Sequence, residues 1–140
     1  MQPAAFSEQA SIARDFHVIR MLFPFVVAAI LGACATATID PENPKSVQRL
    51  GIAPYQAHEE CVQLVPGDRL EYRFEAGAPL AFNIHYHEGK TVVMPLSREN
   101  TREESGVYAP HLAQHYCLMW EAGRQGTTLD YRVRLKRASR

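Results

Sequence analysis

The sequence lacks an excess of either charge, because fifteen lysines and arginines balance fifteen aspartates and glutamates. Without a basic stripe to neutralise phosphates, the composition argues against nucleic-acid binding. The usual signatures of catalysis are also missing: the chain contains no Ser-His-Asp constellation, nucleophile elbow or glycine-rich phosphate loop. We therefore expect a protein that is not an enzyme and that needs no cofactor.

Helical periodicity is absent after residue 50, and apolar and polar residues alternate there instead. Leu70, Tyr72 and Phe74 alternate with charged residues, and period-two alternation recurs over 129–135 and over 80–87, where the alternate positions are alanine, asparagine and histidine. Period-two alternation with glycine and proline turns between the runs predicts an all-β domain, an antiparallel β-sandwich of about seven strands. The strands are predicted near 59–65, 69–75, 80–87, 90–95, 106–110, 115–121 and 127–136, with a solvated loop over Ser97–Ser105.

One long apolar run, from Met21 to Ala37, precedes this domain and follows two arginines. A basic region, an apolar region and small residues in this order are typical of a secretory signal. The run ends in Leu31-Gly32-Ala33-Cys34, which resembles a bacterial lipobox. The resemblance implies that Cys34 carries palmitate and anchors the chain to the bacterial cell envelope. Because Ala35 rather than aspartate follows, it also implies the outer membrane.

Two other interpretations of this segment stay open: plain cleavage after residues 35–37, and an uncleaved membrane anchor. The long stretch before Met21 also allows an alternative start at Met21 or a nearby residue. In each case the rest of the chain works outside the cytoplasm. The predicted organisation is a leader over 1–34, a flexible linker over 35–46 and a folded domain over 47–140.

The cysteine count is odd, and acylation of Cys34 would leave Cys61 and Cys117 as an even pair. Paired cysteines in an oxidising compartment are expected to form a disulfide. Such a crosslink suits a domain of fewer than one hundred residues, whose core is small.

The motifs around these cysteines resemble the GOLD (Golgi dynamics) domain of eukaryotic secretory cargo receptors. Glu60-Cys61 opens the sheet, and Tyr116-Cys117-Leu118-Met119-Trp120 lies near its end. In that family an early cysteine pairs with a late one in a short aromatic strand. The resemblance implies a β-sandwich that binds proteins or lipids without chemistry. Glu121 departs from the family's usual asparagine, and the stalk and membrane span of the receptors are not found.

Four histidines offer an alternative function. His85 and His87 lie two apart in FNIHYHEGK, so alternation places both on the face opposite Phe82 and Ile84. His111 and His115 flank the Cys117 strand, and imidazole suits zinc or copper. The alternative is therefore a periplasmic zinc- or copper-binding protein that uses His85 and His87 with His111 or His115. We expect structural histidines instead, and a module that binds an envelope protein or a small ligand.

Overall fold

The computed structural model describes residues 39–139, so the predicted leader and its Cys34 lie outside the described part. These residues form an all-β domain in which every pairing is antiparallel. The six strands are β1 (Lys45–Ile52), β2 (Ala57–Leu64), β3 (Arg69–Glu88), β4 (Thr91–Tyr108), β5 (Gln114–Ala122) and β6 (Thr127–Lys136). Over residues 39–139 there is no helix long and apolar enough to cross a membrane.

The long strands β3 and β4 form a hairpin that folds over on itself. Residues 69–76 of β3 pair with β6, whereas residues 80–86 pair with β5. β4 follows the other edge of β3, and the register between them shifts where β3 bends at residues 77–79. The strand order is therefore β1-β6-β3-β5-β2, with β4 beside β3.

The bend divides the strands into two packed layers, one around β6 and the other around β5. Trp120 of β5 stacks on Tyr131 of β6 with ring centroids 4.8 Å apart, although these two strands are not neighbours in the sheet. Phe74, in the β6 layer, meets Trp120 edge-on at 6.1 Å. Side chains that interdigitate from two facing layers define a β-sandwich, and the fold class predicted from the sequence is confirmed.

The alternation of the sequence correctly identifies the core. The predicted inward residues are each no more than 8% exposed: Leu70, Tyr72, Phe74, Leu80, Phe82, Ile84, Tyr86, Leu129, Tyr131, Val133 and Leu135. Their burial follows from the pleat, which sends successive side chains to opposite faces.

One end of the sandwich is defined by three connections, and we call it the hairpin end. It contains the β3–β4 turn, the β2–β3 turn at residues 65–68 and the β4–β5 connection at residues 109–113. These connections lie together because Tyr86, near the end of β3, pairs with Tyr116 at the start of β5. The β1–β2 connection and the β5–β6 turn lie at the opposite end.

The solvated loop predicted for Ser97–Ser105 is wrong, because these residues belong to β4. The predicted strands 90–95 and 106–110 are parts of this one strand. Among the strands of residues 39–139, β4 is an edge strand that pairs only with β3, and charged residues are common on such edges because they discourage pairing with other chains. Glu104 also accepts a hydrogen bond from the Tyr72 hydroxyl at 3.0 Å.

The linker predicted over 35–46 differs from the structure at its C-terminal side. Lys45 and Ser46 belong to β1, and Ile39 is 1% exposed in the core. β1 is difficult to recognise in the sequence because its register with β6 shifts between Val47 and Leu50. Arg49, within this interval, has a φ of 53°. A bulge of this kind breaks the period-two pattern from which strands are recognised.

Candidate functional site

The outward side of the β5 layer carries most of the residues that the sequence singles out, and we call it the cysteine face. Its middle row is formed by Cys61 of β2, Cys117 of β5 and His85 of β3, which are cross-strand partners. Directly opposed residues in antiparallel strands project to the same side. The face comprises Glu59, Cys61, Gln63, Asn83, His85, His87, His115, Cys117 and Met119.

Cys61 and Cys117 form a disulfide, as the sequence predicts. They lie directly opposite each other on β2 and β5, and Cys117 is 7% exposed while Cys61 is half-buried. The bond joins residues 56 positions apart, and a closed loop of that length contributes about 4 kcal/mol in the chain-entropy estimate. The crosslink therefore fastens the outer strand β2 to the centre of its layer.

His85 is buried on this face, at 4% exposure, whereas His87 is exposed. Nδ1 of His85 lies 2.8 Å from Oδ1 of Asn83. Because an amide oxygen only accepts, Nδ1 carries the proton and Nε2 keeps a lone pair. Burial lowers the pKa of His85, an effect that Glu59 opposes and His87 reinforces. His85 is thus a neutral imidazole held in one tautomer.

The four predicted histidines are not brought together. The rings of His85 and His87 lie on one face with centroids 5.3 Å apart, and His115 is on the neighbouring strand. His111 lies in the exposed β4–β5 connection. Within residues 39–139, the group whose ligand atoms all lie within 4.8 Å of one another is instead Cys61, His115 and Cys117.

A second polar cluster, which the sequence did not reveal, lies inside the sandwich around Glu60. Both carboxylate oxygens of Glu60 contact Nζ of Lys45, at 2.7 and 2.8 Å. The Tyr131 hydroxyl donates a short hydrogen bond to Glu60, and His58 Nε2 lies 3.1 Å from that hydroxyl. Burial, followed by the bond to Glu60, raises the pKa of Tyr131. The cluster joins β1, β2 and β6 across the side of the sandwich opposite β4.

One signal in the sequence could have identified Glu60. It occupies the same alternation phase as Val62 and Leu64, which are buried. A carboxylate at a core position requires partners, but Lys45 and Tyr131 are 15 and 71 positions away. Its partners therefore could not be inferred from the local pattern.

The fold and the site together define a disulfide-bonded antiparallel β-sandwich. No protein-family model and no curated protein matches the sequence. One similar solved structure is the pre-peptidase C-terminal domain of a collagenase from Bacillus anthracis, with a TM-score of 0.41 and 9% identity. The match covers 71% of this chain and 90% of that chain. At these values the similarity carries no argument about function.

Proposed function

We propose that the chain is a non-catalytic lipoprotein that binds an envelope protein or a small ligand outside the cytoplasm. The observation that carries this proposal is the Cys61–Cys117 disulfide. Structural disulfides persist in oxidising compartments and are rare in the cytosol. The pair also leaves Cys34 as the remaining cysteine, in the position that the lipobox resemblance assigns to the acylated residue.

The pairing of an early with a late cysteine further supports a GOLD-like sandwich. Cys117 lies in β5 between Tyr116 and Trp120, both of them buried aromatic residues, as the resemblance implies. A GOLD-like domain would bind proteins or lipids through its surface. Transport of cargo is a property of the eukaryotic receptors and does not form part of the proposal.

Binding without catalysis is supported by the state of the buried polar residues. Glu60, Asp68, Asn83 and His85 are the buried polar residues of the described part. Each of them has a hydrogen-bond partner within the protein. Catalytic groups usually face a cleft with perturbed and available polar atoms, whereas these groups are engaged in holding strands and turns together.

Exposed apolar side chains supply a candidate contact surface at the hairpin end. Val92, Met94 and Leu112 are 44%, 51% and 49% exposed, and all three lie near its connections. Methionine is enriched in protein interfaces. At the opposite end, Tyr55 is the comparable exposed residue, at 66%.

The proposal is tested by expressing the full chain and its Cys34→Ala variant in a bacterial host. We expect the parent protein in the outer-membrane fraction with incorporated palmitate, and the variant without label and without membrane attachment by a lipid. Cys117→Ala is the matched control, because it removes a cysteine but leaves the lipobox intact. An unlabelled parent protein that remains in the membrane at full length would establish the uncleaved anchor instead.

The same cells test binding. A photo-crosslinking residue at Met94 should form a discrete adduct with an envelope component in the anchored protein. The same residue at Tyr55 serves as the control at the opposite end. Equal crosslinking from both positions, or from neither, would argue against a contact surface at the hairpin end.

A further inference from the structure

The closest grouping of metal-ligating atoms on the cysteine face contains one of the four predicted histidines, His115, together with the two cysteines. The two sulfurs of Cys61 and Cys117 and a ring nitrogen of His115 all lie within 4.8 Å of one another. Cys117 is buried, Cys61 is half-buried and His115 is exposed, so the group opens to solvent on one side. The three residues come from two paired strands, β2 and β5.

We propose that Cys61, Cys117 and His115 form a zinc site when the disulfide is reduced, and that oxidation to the disulfide closes this site. Two thiolates and one imidazole are a donor set of zinc sites that have three protein ligands and leave the fourth position to water. Thiolate ligands also favour soft cations over calcium or magnesium. The proposal goes beyond binding of an envelope partner and does not depend on acylation of Cys34.

The geometry requires little movement. Ligand atoms 2.0–2.3 Å from a tetrahedral zinc ion lie about 3.3–3.8 Å apart. Because the three atoms already lie within 4.8 Å of one another, His115 needs a shift of at most about 1 Å. Once the sulfur–sulfur bond is broken, Cys61 and Cys117 can separate by side-chain rotation. Their backbones stay fixed by the pairing of β2 with β5.

The switch needs a dithiol as reductant. A thiolate of the dithiol attacks the sulfur of Cys61, the less buried of the two cysteines, and its second thiol completes the exchange. The dithiol loses two electrons and two protons and becomes a disulfide, while Cys61 and Cys117 become thiols. Zinc then binds both thiolates and His115, and two protons pass to solvent.

Two nearby histidines serve as controls because they lie outside the group. His85 is buried beside Cys117, but its Nδ1 is bonded to Asn83. His111 is exposed in the connection that leads into β5. If any surface histidine sufficed to bind zinc, His111 would contribute as much as His115. The proposal assigns the effect to His115 alone.

The experiment titrates the purified full chain with Zn²⁺ in competition with a chromophoric chelator. The chain is either oxidised, or reduced with dithiothreitol that is then removed without oxygen. We expect one zinc ion per reduced chain, at least about tenfold weaker binding in the oxidised chain, and a similar loss in reduced His115→Ala. Reduced His111→Ala and His85→Ala should match the parent within about twofold. With Co²⁺ as a probe, thiolate-to-metal charge-transfer absorption should appear only after reduction.

Equal zinc affinity of the oxidised and reduced chains would overturn the proposal, as would a His115→Ala variant that binds like the parent. Near-ultraviolet circular dichroism monitors the fold, through the environment of Trp120. If reduction abolishes this signal, zinc should restore it, because metal binding is coupled to folding. A reduced chain that stays unfolded with zinc present would also contradict the site.

Discussion

Asp68 fastens the C-terminal segment to the turn between β2 and β3, and its side chain is 1% exposed. Oδ2 accepts hydrogen bonds from the Val65 amide at 3.1 Å and from Arg137 at 2.7 Å. Oδ1 accepts one from the amide of Ala138 at 3.0 Å. Although burial alone would raise the pKa of Asp68, these bonds together lower it. The single carboxylate of Asp68 therefore accepts hydrogen bonds from three donors, one in its own turn and two in the C-terminal segment at residues 137–138.

Replacing Asp68 with asparagine should destabilise the domain at neutral pH by about 2–3 kcal/mol, because bonds to a charged acceptor are lost. Because the pKa of Asp68 is lower in the folded state, the charged carboxylate stabilises the domain fully at pH values above the pKa of aspartate in the unfolded chain, about 3.9. That contribution is lost as the pH falls through the folded-state pKa. Urea unfolding at pH 7 and pH 3 should show a smaller acid-induced loss in Asp68→Asn than in the parent.

Asp40→Asn is the matched control, since the pKa of Asp40 is also lowered, by bonds from Asn43 and the Glu42 amide. Asp40 is exposed, so solvent screens its interactions and little change in unfolding is expected. Equal effects of the two substitutions at pH 7 would show that burial of the Asp68 carboxylate contributes nothing specific.

The residues that sequence patterns misplace are polar residues whose partners are distant. Alternation correctly places His85 on the outer face, where a histidine side chain is normally exposed to solvent. Its burial comes from Asn83, His87 and the disulfide beside it, and the disulfide joins strands 56 positions apart. Glu60 is similar, because Lys45 and Tyr131 become its neighbours only after the layers pack. Local pattern gives the face of a residue, whereas its burial depends on tertiary contacts.

The β5–β6 turn depends on Gly126. Its φ is +69°, and a Cβ there would lie 2.8 Å from the carbonyl oxygen of Ile52. Gly89, in the β3–β4 turn, has a similar φ of +60°, but nothing lies within 4 Å of the equivalent Cβ. Alanine substitution at Gly89 therefore measures the energetic cost of the left-handed backbone conformation, and the same substitution at Gly126 adds the cost of a steric clash.

Gly89→Ala should cost about 1 kcal/mol, because an alanine in the left-handed region is strained. Gly126→Ala should cost about 2–4 kcal/mol, since the β1–β2 connection must also move away from the added methyl group. With about 4–8 °C lost per kcal/mol in a domain of this size, thermal circular dichroism resolves the difference. Similar melting temperatures for the two variants would mean that the contact with Ile52 is readily relieved.

Elements with clean alternation and turn residues were predicted well, and the exceptions have physical causes. β2, β5 and β6 lie within two residues of their predicted bounds. The bulge in β1 breaks its period-two alternation, so this strand was not predicted. The middle of β4 is polar because it lies at an edge of the sheet, so it was predicted as a loop. In the middle of β4, backbone hydrogen bonds to β3 maintain the strand although it has no apolar face, so a search for apolar alternation could not identify it.

The Cys61–Cys117 disulfide should account for a large share of the free energy of unfolding of the domain. Loss of its crosslink through Cys61→Ser should cost about 4 kcal/mol, against a total of about 5–15 kcal/mol for typical domains. Urea unfolding of the purified chain with and without dithiothreitol measures this. The parent should be destabilised by the reductant, whereas Cys61→Ser should be insensitive to it. If dithiothreitol destabilised both proteins equally, the loss of stability would not result from reduction of the Cys61–Cys117 bond.

Ile39 limits how far the folded domain can stand from the position of Cys34. Because Ile39 is buried in the core, only residues 35–38 separate the two, and five fully extended steps reach at most about 18 Å. The ten residues of β6 alone span about 33 Å. If Cys34 is acylated as proposed, the part of the core around Ile39 lies within about 18 Å of the lipid-attached residue, a distance shorter than β6. The encounters of the sandwich are then with molecules in or beside the same membrane, met by lateral diffusion in two dimensions.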